Sequence, residues 1–321
     1  MRKASIALSL FVIVAATAVN AQSSKKLTFY YVDHGTPGMF WSVYYKGIED
    51  ATRMLAPLGV EVKHLEAGEV DFQGKAETLQ QAVAANPDGL VTSIGDPKTY
   101  ESILKPLIDK GVPIMAANTE DPRPVGERIP YLAYYGEDTS TSGTALADAL
   151  IADIKESGGK KPGFALLVTP VAGSPNWVSR LKLFGERLAR EYGTKSEQVT
   201  DTNGTIMSSY LQRHPNVDVV CAFEGEAHYY LSALRAAGKV PGKDVYVVCF
   251  NVGASSLQDI KDGTITVGYD EQQYLQGFLP LYDLYLYLTR YHVHPVRVIT
   301  GMLVDRHNAD SVLKGALMGY R

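Results

Sequence analysis

The stretch Asp33–Trp41, DHGTPGMFW, places residues that could do chemistry where an apolar run ends and a helical pattern begins. Asp33 beside His34 could act as an acid/base pair or supply metal ligands. The glycines could instead shape a phosphate loop, but they are three apart, match no nucleotide loop and lack a lysine. No third metal ligand or nucleophile stands at a recognisable spacing, so we expect neither a metal nor catalysis. The aromatic pair Phe40–Trp41 is then the informative part.

The elements that position this stretch follow from the alternation of short β-branched runs with longer amphipathic segments along the chain. This alternation predicts βαβ units and parallel sheets. Several strand candidates are continuously apolar, which is typical of sheets covered by helices on both faces. We therefore predict an α/β fold of two doubly wound parallel-sheet lobes. The predicted strands are Leu27–Asp33, Val60–Glu66, Gly89–Ser93, Val112–Ala117, Tyr131–Tyr135, Gly163–Thr169, Glu197–Asp201, Val217–Phe223, Val245–Phe250 and Ile265–Asp270.

The carboxyl ends of these strands carry short polar side chains, several of them next to an aromatic residue. Ligands of open parallel sheets bind at these ends. The hydroxyl groups of a sugar or polyol need donors and acceptors, which Asp, Asn, Glu, Gln and Arg supply, and its C–H faces pack on aromatic rings. The candidate ligand-binding residues are Asp33, Phe40, Trp41, Ser93, Asp96, Asn118, Asn176, Trp177, Arg180, Glu224, Asn251, Glu271 and Gln272.

Some of these residues also have a structural interpretation. Asp96 precedes a proline and could cap a helix. Phe40 and Trp41 could pack into the core, and Asn176 and Arg180, four residues apart, could form a solvated pair on a helix face. Both interpretations stay open at this point.

Five segments carry a resemblance to a known family. They are MFWSVYYKGIEDA, SIGDP, GSPNWVSRLKLFGERL, VVCFN and DEQQYLQGF, in this order. Together they resemble the periplasmic sugar-binding proteins of the ribose- and galactose-binding type. In that family, aromatics like Phe40 and Trp41 sandwich the sugar, and a polar residue four before an arginine binds it, here Asn176 and Arg180. The chain departs from the family in having Glu224 where Asn is usual, Glu271 where Gln is usual, and a longer first loop.

The resemblance implies a type I periplasmic binding protein fold, with two lobes joined by a three-crossing hinge. The first lobe would take residues 25–118 and 271–299, and the second would take 119–270 and 300–321. The implied function is capture of a neutral sugar or sugar alcohol by hinge closure and its delivery to an ABC importer. No cofactor is implied, and a monomer is expected. One alternative is a sensor that presents a sugar or furanone-type signal to a chemoreceptor or kinase. Another is a secreted enzyme acting on glycosides.

The first 21 residues have the pattern of a secretory leader. Arg2 and Lys3 precede an apolar run, and a small-residue cleavage pattern ends at Ala21. We expect cleavage there and a periplasmic protein.

The charge of the remaining chain argues against nucleic acid as a partner. Without Arg2 and Lys3, the 31 basic residues become 29 against 35 acidic ones, a net charge of −6, and the sequence has no basic block. Cys221 and Cys249 lie in apolar strand-like runs, so we favour two buried thiols over a disulfide.

Overall fold

Two six-stranded sheets, each with helices on both faces, form the framework of the protein. The structure is a computed structural model that describes residues 26–35, 38–66, 72–170, 175–223, 227–292 and 295–321, so the predicted leader lies outside it. The strands are β1 (Leu27–Asp33), β2 (Val60–Glu66), β3 (Gly89–Thr92), β4 (Ile114–Ala117), β5 (Ala133–Gly136), β6 (Phe164–Thr169), β7 (Lys195–Thr200), β8 (Val219–Phe223), β9 (Tyr246–Phe250), β10 (Val267–Asp270), β11 (Arg297–Ile299) and β12 (Met302–Val304). The helices are α1 (Met39–Leu55), α2 (Phe72–Ala84), α3 (Pro97–Asp109), α4 (Ser142–Ser157), α5 (Pro175–Tyr192), α6 (Thr205–Arg213), α7 (Ala227–Ala236), α8 (Ala254–Lys261), α9 (Gln273–Arg290) and α10 (Ala309–Leu317).

The strand order is the same in both sheets. The first sheet runs β11-β5-β4-β3-β1-β2 and the second runs β12-β10-β9-β8-β6-β7. The strands pair in parallel, except that β12 lies antiparallel to β10. The predicted fold class, two doubly wound lobes of parallel strands, is confirmed. Because the central strands of each sheet run parallel, their carboxyl ends lie at the same edge of that sheet.

The chain crosses between the sheets three times. The crossings follow β5, follow β10, and join β11 to β12 through Thr300–Gly301. The predicted first boundary at residue 118 is wrong, because β5 pairs with β4 and belongs to the first sheet. That boundary placed the polar segment after β4 in a crossing. In the structure this segment leads into β5 of the same sheet, and the chain crosses to the second sheet only after β5.

Helices α1 and α9 pack closely on one face of the first sheet. A Cβ atom on Gly47 would overlap the carbonyl oxygen of Tyr274, and one on Gly277 would overlap that of Tyr44. The two glycines therefore let the two backbones approach. Helix α9 is 18 residues long, yet in the part of the chain described no helix is both long and apolar enough to cross a membrane.

The two cysteines occupy opposite faces of the second sheet. Cys221 packs with Leu181 and Phe184, whereas Cys249 packs with Leu257 and Ile260. Both thiols are buried and neither is in a disulfide, because neighbouring strands of one sheet direct these two side chains away from each other.

The sequence did not predict β11, β12 or α10. The two strands have three residues each, which is too short for a strand period to be recognised. Their pairing with β5 and β10 places them at the outer edges of the sheets.

Candidate ligand-binding site

A cleft of about 700 Å³ lies between the carboxyl ends of the two sheets. The first lobe contributes the first turn of α1, and the second lobe contributes the ends of β6, β8 and β9 together with the starts of α5 and α8. Four of the predicted ligand-binding residues line it, namely Phe40, Trp41, Trp177 and Asn251.

The first wall of the cleft is an aromatic cluster at the start of α1. The Trp41 ring meets Phe40, Tyr44 and His34 edge to face, with centroids 5.2, 5.1 and 4.9 Å apart. Phe40 and Trp41 are only half-buried, so ring surface remains for a ligand. A Cβ atom on Gly35 would overlap the Trp41 indole, which explains why this loop carries a glycine.

The second wall is a row of aromatic rings in the other lobe. Trp177 lies 5.0 Å from Phe223, and Phe223 stacks on Phe250 at 5.4 Å. Trp177 and Phe223 line the cleft, opposite Phe40 and Trp41. Aromatic surface from both lobes therefore borders one space, an arrangement that suits the two C–H faces of a sugar ring.

Asp33 lies inside the first lobe and does not line this cleft. Its Oδ1 accepts hydrogen bonds from the backbone of Gly35 at 2.9 Å and the hydroxyl of Tyr45 at 3.1 Å, and its Oδ2 contacts His64. The carboxylate is fully buried. In this structure it binds the Gly35 backbone and the side chains of Tyr45 and His64 within the first lobe.

Ser93 lies at the tip of β3 between two buried basic side chains. Its Oγ is 2.6 Å from His34 Nδ1 and accepts from Lys75 Nζ, which also donates to the Ser93 carbonyl oxygen. Burial lowers the pKa of Lys75 to about 7 and that of His34 to about 3, with the Lys75 charge adding to the second effect. The sequence interpretation missed Lys75, although its spacing to the buried Leu79 and Ala82 places it on the apolar face of α2.

Asp96 and Asn118 follow β3 and β4 but are held by local contacts. Asp96 caps α3, accepting from the Thr99 backbone at 3.3 Å and its hydroxyl at 2.6 Å. The Thr99 hydrogen bonds lower the Asp96 pKa despite some desolvation. Asn118 has a left-handed backbone, φ 63°, and donates to Gln276 Oε1 at 3.2 Å. It lines a second cavity of about 410 Å³, beside the first crossing.

Arg180 joins two carboxylates from two different crossings. Its Nη1 is 2.8 Å from Glu271 Oε1, and its Nη2 contacts the Glu137 carboxylate. Glu137 directly follows β5, and Glu271 directly follows β10. All three side chains are buried. The guanidinium of α5 therefore ties the first two crossings together, and its Nε has no hydrogen-bond partner in the part of the chain described.

Glu137 is a residue that the sequence interpretation missed. It stands directly after a buried strand, which is the signal used for the other candidates, but the predicted boundary had moved β5 out of the first sheet. Burial raises the pKa of Glu137 to about 8, Arg180 opposes this shift, and the nearby Glu271 adds to it. The raised pKa favours the protonated form of Glu137 at neutral pH.

This shift predicts how stability depends on pH. Between the ordinary value of 4.5 and about 8, folded Glu137 holds a proton that the unfolded chain has released, so its contribution to the free energy of unfolding falls as the pH rises and levels off above about 8. Lys75 acts in the opposite direction above about pH 7 because its pKa is lowered. We therefore expect the difference in stability between wild type and Glu137→Gln to decrease with pH in this window.

Urea denaturation from about pH 5 to 9 checks this expectation. The matched control is Glu49→Gln, on the exposed face of α1, whose difference from wild type should stay constant. Parallel curves for wild type and Glu137→Gln would show that Glu137 does not hold its proton in the folded state.

Two of the remaining candidates, Gln272 and Asn251, lie near the second crossing. The other two lie wholly or partly outside the residues that the structure describes. Gln272 donates to the Thr300 carbonyl oxygen and accepts from Arg321 at 3.0 Å. Asn251 directly follows β9 with a left-handed backbone, φ 62°, and its Oδ1 has no partner among the described residues. Asn176 lies in α5, but its side chain is not among the described parts of the structure, and neither is any part of Glu224.

Among the described residues, no cluster of His, Cys, Asp and Glu could hold a metal ion.

Comparisons with known proteins identify the family and the fold of this chain. The profile of a family described as "Periplasmic binding protein domain" matches residues 29–290. The xylose/arabinose-binding protein XylF of Sulfolobus acidocaldarius is 25% identical over 285 residues, which cover 84% of this chain and 69% of that protein.

Two solved structures share the fold. A carbohydrate transporter from Acidothermus cellulolyticus, in complex with myo-inositol, has a TM-score of 0.74 and 24% identity over 92% of this chain and 99% of that one. GanP, a glucose-galactose binding protein from Geobacillus stearothermophilus, has a TM-score of 0.72 and 17% identity, covering 88% and 99%.

Proposed function

Since the chain belongs to the family of periplasmic binding protein domains, we propose that it captures a neutral sugar or sugar alcohol in the interlobe cleft and delivers it to an ABC importer. The chain is a solute-binding protein, and its family works outside the cytoplasm. The named relative is a xylose/arabinose-binding protein. Our proposal extends this to the ligand class, to the permease of an ABC importer as partner, and to a monomeric state.

The observation that carries the proposal is the pair of aromatic walls. Phe40 and Trp41 come from one lobe, Trp177 and Phe223 come from the other, and all four line one cleft. A flat ligand with two C–H faces would contact both walls only when the lobes are close. Its binding would therefore favour the closed form, because the ligand binds that form with the higher affinity.

The polar groups of the cleft support a hydroxylated ligand. Asn251 Oδ1 is a buried acceptor with no partner among the described residues, and a hydroxyl group can donate to it. The buried charges nearby, Arg180 with Glu137 and Glu271, neutralise one another in large part. The site thus offers hydrogen bonds and ring surface without a strong unpaired charge, which suits a neutral polyol.

Thermal unfolding against a ligand panel tests the proposal. The panel would hold D-xylose, L-arabinose, D-galactose, D-glucose, myo-inositol and xylitol, with L-alanine as a non-carbohydrate control. A ligand at about 100 times its Kd should raise the Tm by roughly 5 °C. The same ligand should reduce the radius of gyration in small-angle X-ray scattering if it closes the lobes. If no panel member raised the Tm at millimolar concentration, the carbohydrate assignment would fail.

A further inference from the structure

The segment Glu271–Gln276 contains three glutamines. The side chains of two of them form hydrogen bonds at the crossings between the sheets, and the third contributes none there among the described residues. Gln272 bonds Thr300 and Arg321. Gln276 donates to the Glu271 carbonyl oxygen at 2.8 Å and to Thr300 Oγ1 at 3.3 Å. Gln273 lies between them at the first position of α9 and contributes to neither connection.

Gln273 is buried but lacks a partner for its amide oxygen. Its side chain is 3% exposed, and its Oε1 has no hydrogen-bond partner among the described residues. The residue lines the same cleft as Trp41, Trp177 and Asn251. Buried polar groups in folded proteins are nearly always hydrogen-bonded, so such an exception calls for an explanation.

Asn251 shows the same property from the other side of the cleft. Its Oδ1 is also buried without a partner among the described residues. Asn251 belongs to the tip of β9 in the second lobe, whereas Gln273 starts the helix that returns the chain to the first lobe. Two unsatisfied amide oxygens from different elements therefore border one cavity.

We propose that Gln273 is a ligand-binding residue that recognises a hydroxyl group of the polyol other than the one recognised by Asn251. This inference rests on the proposed function. A hydroxyl group suits an amide in either orientation, because it can donate to the amide oxygen or accept from the amide nitrogen. A ligand that lacks this hydroxyl leaves the amide unsatisfied and binds less tightly.

Replacement by methionine tests the proposal because methionine has a similar length and no polar atom. Gln273→Met should raise the Kd for the best ligand of the six-member panel by about tenfold. The Tm of the ligand-free protein should stay the same or rise, because the variant no longer buries an unsatisfied amide. The exposed Gln81→Met of α2 is the matched control and should change neither quantity.

A second measurement identifies the group that Gln273 contacts. Isothermal titration with monodeoxy analogues of the same ligand should yield one analogue whose Kd is equal for wild type and Gln273→Met. If wild type binds a panel sugar and Gln273→Met binds it with the same Kd, the inference is wrong while the proposed function stands. A lower Tm together with unchanged Kd would assign Gln273 a structural role and also overturn it. If wild type binds no panel member, it is the proposed function that fails.

Discussion

Replacing Arg180 with methionine is expected to destabilise the protein by about 3–5 kcal/mol, the range for breaking a buried ion pair. The change leaves Glu271 buried without its cation and removes the guanidinium contact of Glu137. It also removes the guanidinium from the faces of Phe223 and Phe250, whose ring centroids lie 5.9 and 5.6 Å away. Urea denaturation at neutral pH measures the loss.

A control on the same helix separates the effect of burying an ion pair from the effect of forming one. Arg187 also contacts two carboxylates, Asp148 and Glu191, but at the surface of α5. Exposed ion pairs contribute at most about 1 kcal/mol, so Arg187→Met should cost far less than Arg180→Met. Similar losses for the two variants would contradict the assignment of Arg180 as a buried tie between crossings.

Replacing all three residues of the Glu137–Arg180–Glu271 cluster tests whether Arg180 also serves the ligand. The triple variant Glu137→Gln, Arg180→Met, Glu271→Gln leaves no buried charge in this cluster, so much of the stability should return. If the refolded triple variant still binds the panel sugar as wild type does, Arg180 and Glu271 are structural. Loss of binding in a stable triple variant supports the ligand role that the sequence predicted for them.

Trp41→Ala is expected to weaken binding of the best panel sugar by about 10- to 100-fold, because the ligand loses the apolar area of one wall of the cleft. Isothermal titration well below the Tm measures the Kd. Trp41 also contacts Tyr44 and His34, so Trp41→Leu is a second variant that retains apolar volume without a flat face. It should also bind weakly.

An aromatic residue outside the cleft is the matched control for this prediction. Tyr291, after α9, is 89% exposed, and Tyr291→Ala should leave the Kd unchanged. Trp177→Ala should weaken binding to a similar degree as Trp41→Ala, since the two rings border the cleft from opposite lobes. If Trp41→Ala bound the sugar as tightly as wild type, the sandwich geometry would be wrong.

The sequence predicted the aromatic candidates more directly than the charged ones. Phe40 and Trp41 start a helix directly after a strand, so their place in the chain brings them to the cleft whatever the rest of the fold does. Asp33 ends the same strand, but its carboxylate turns inward to Tyr45 and His64. Which way a polar side chain turns depends on partners that local sequence does not specify.

The amino-acid sequence by itself determined the strands β1 to β10 and the polar residues at their tips, because hydrophobic periodicity and turn residues act over a few positions. It also determined that aromatic and polar residues share those tips. Only the tertiary structure decided that Arg180 meets Glu271, 91 positions away, that Glu137 completes the cluster, and that the amide oxygen of Gln273 has no partner among the described residues. These contacts depend on how the two sheets and the three crossings pack together. Because the charges and amides at that junction are buried, the loss of a partner there costs more free energy than it would at the surface.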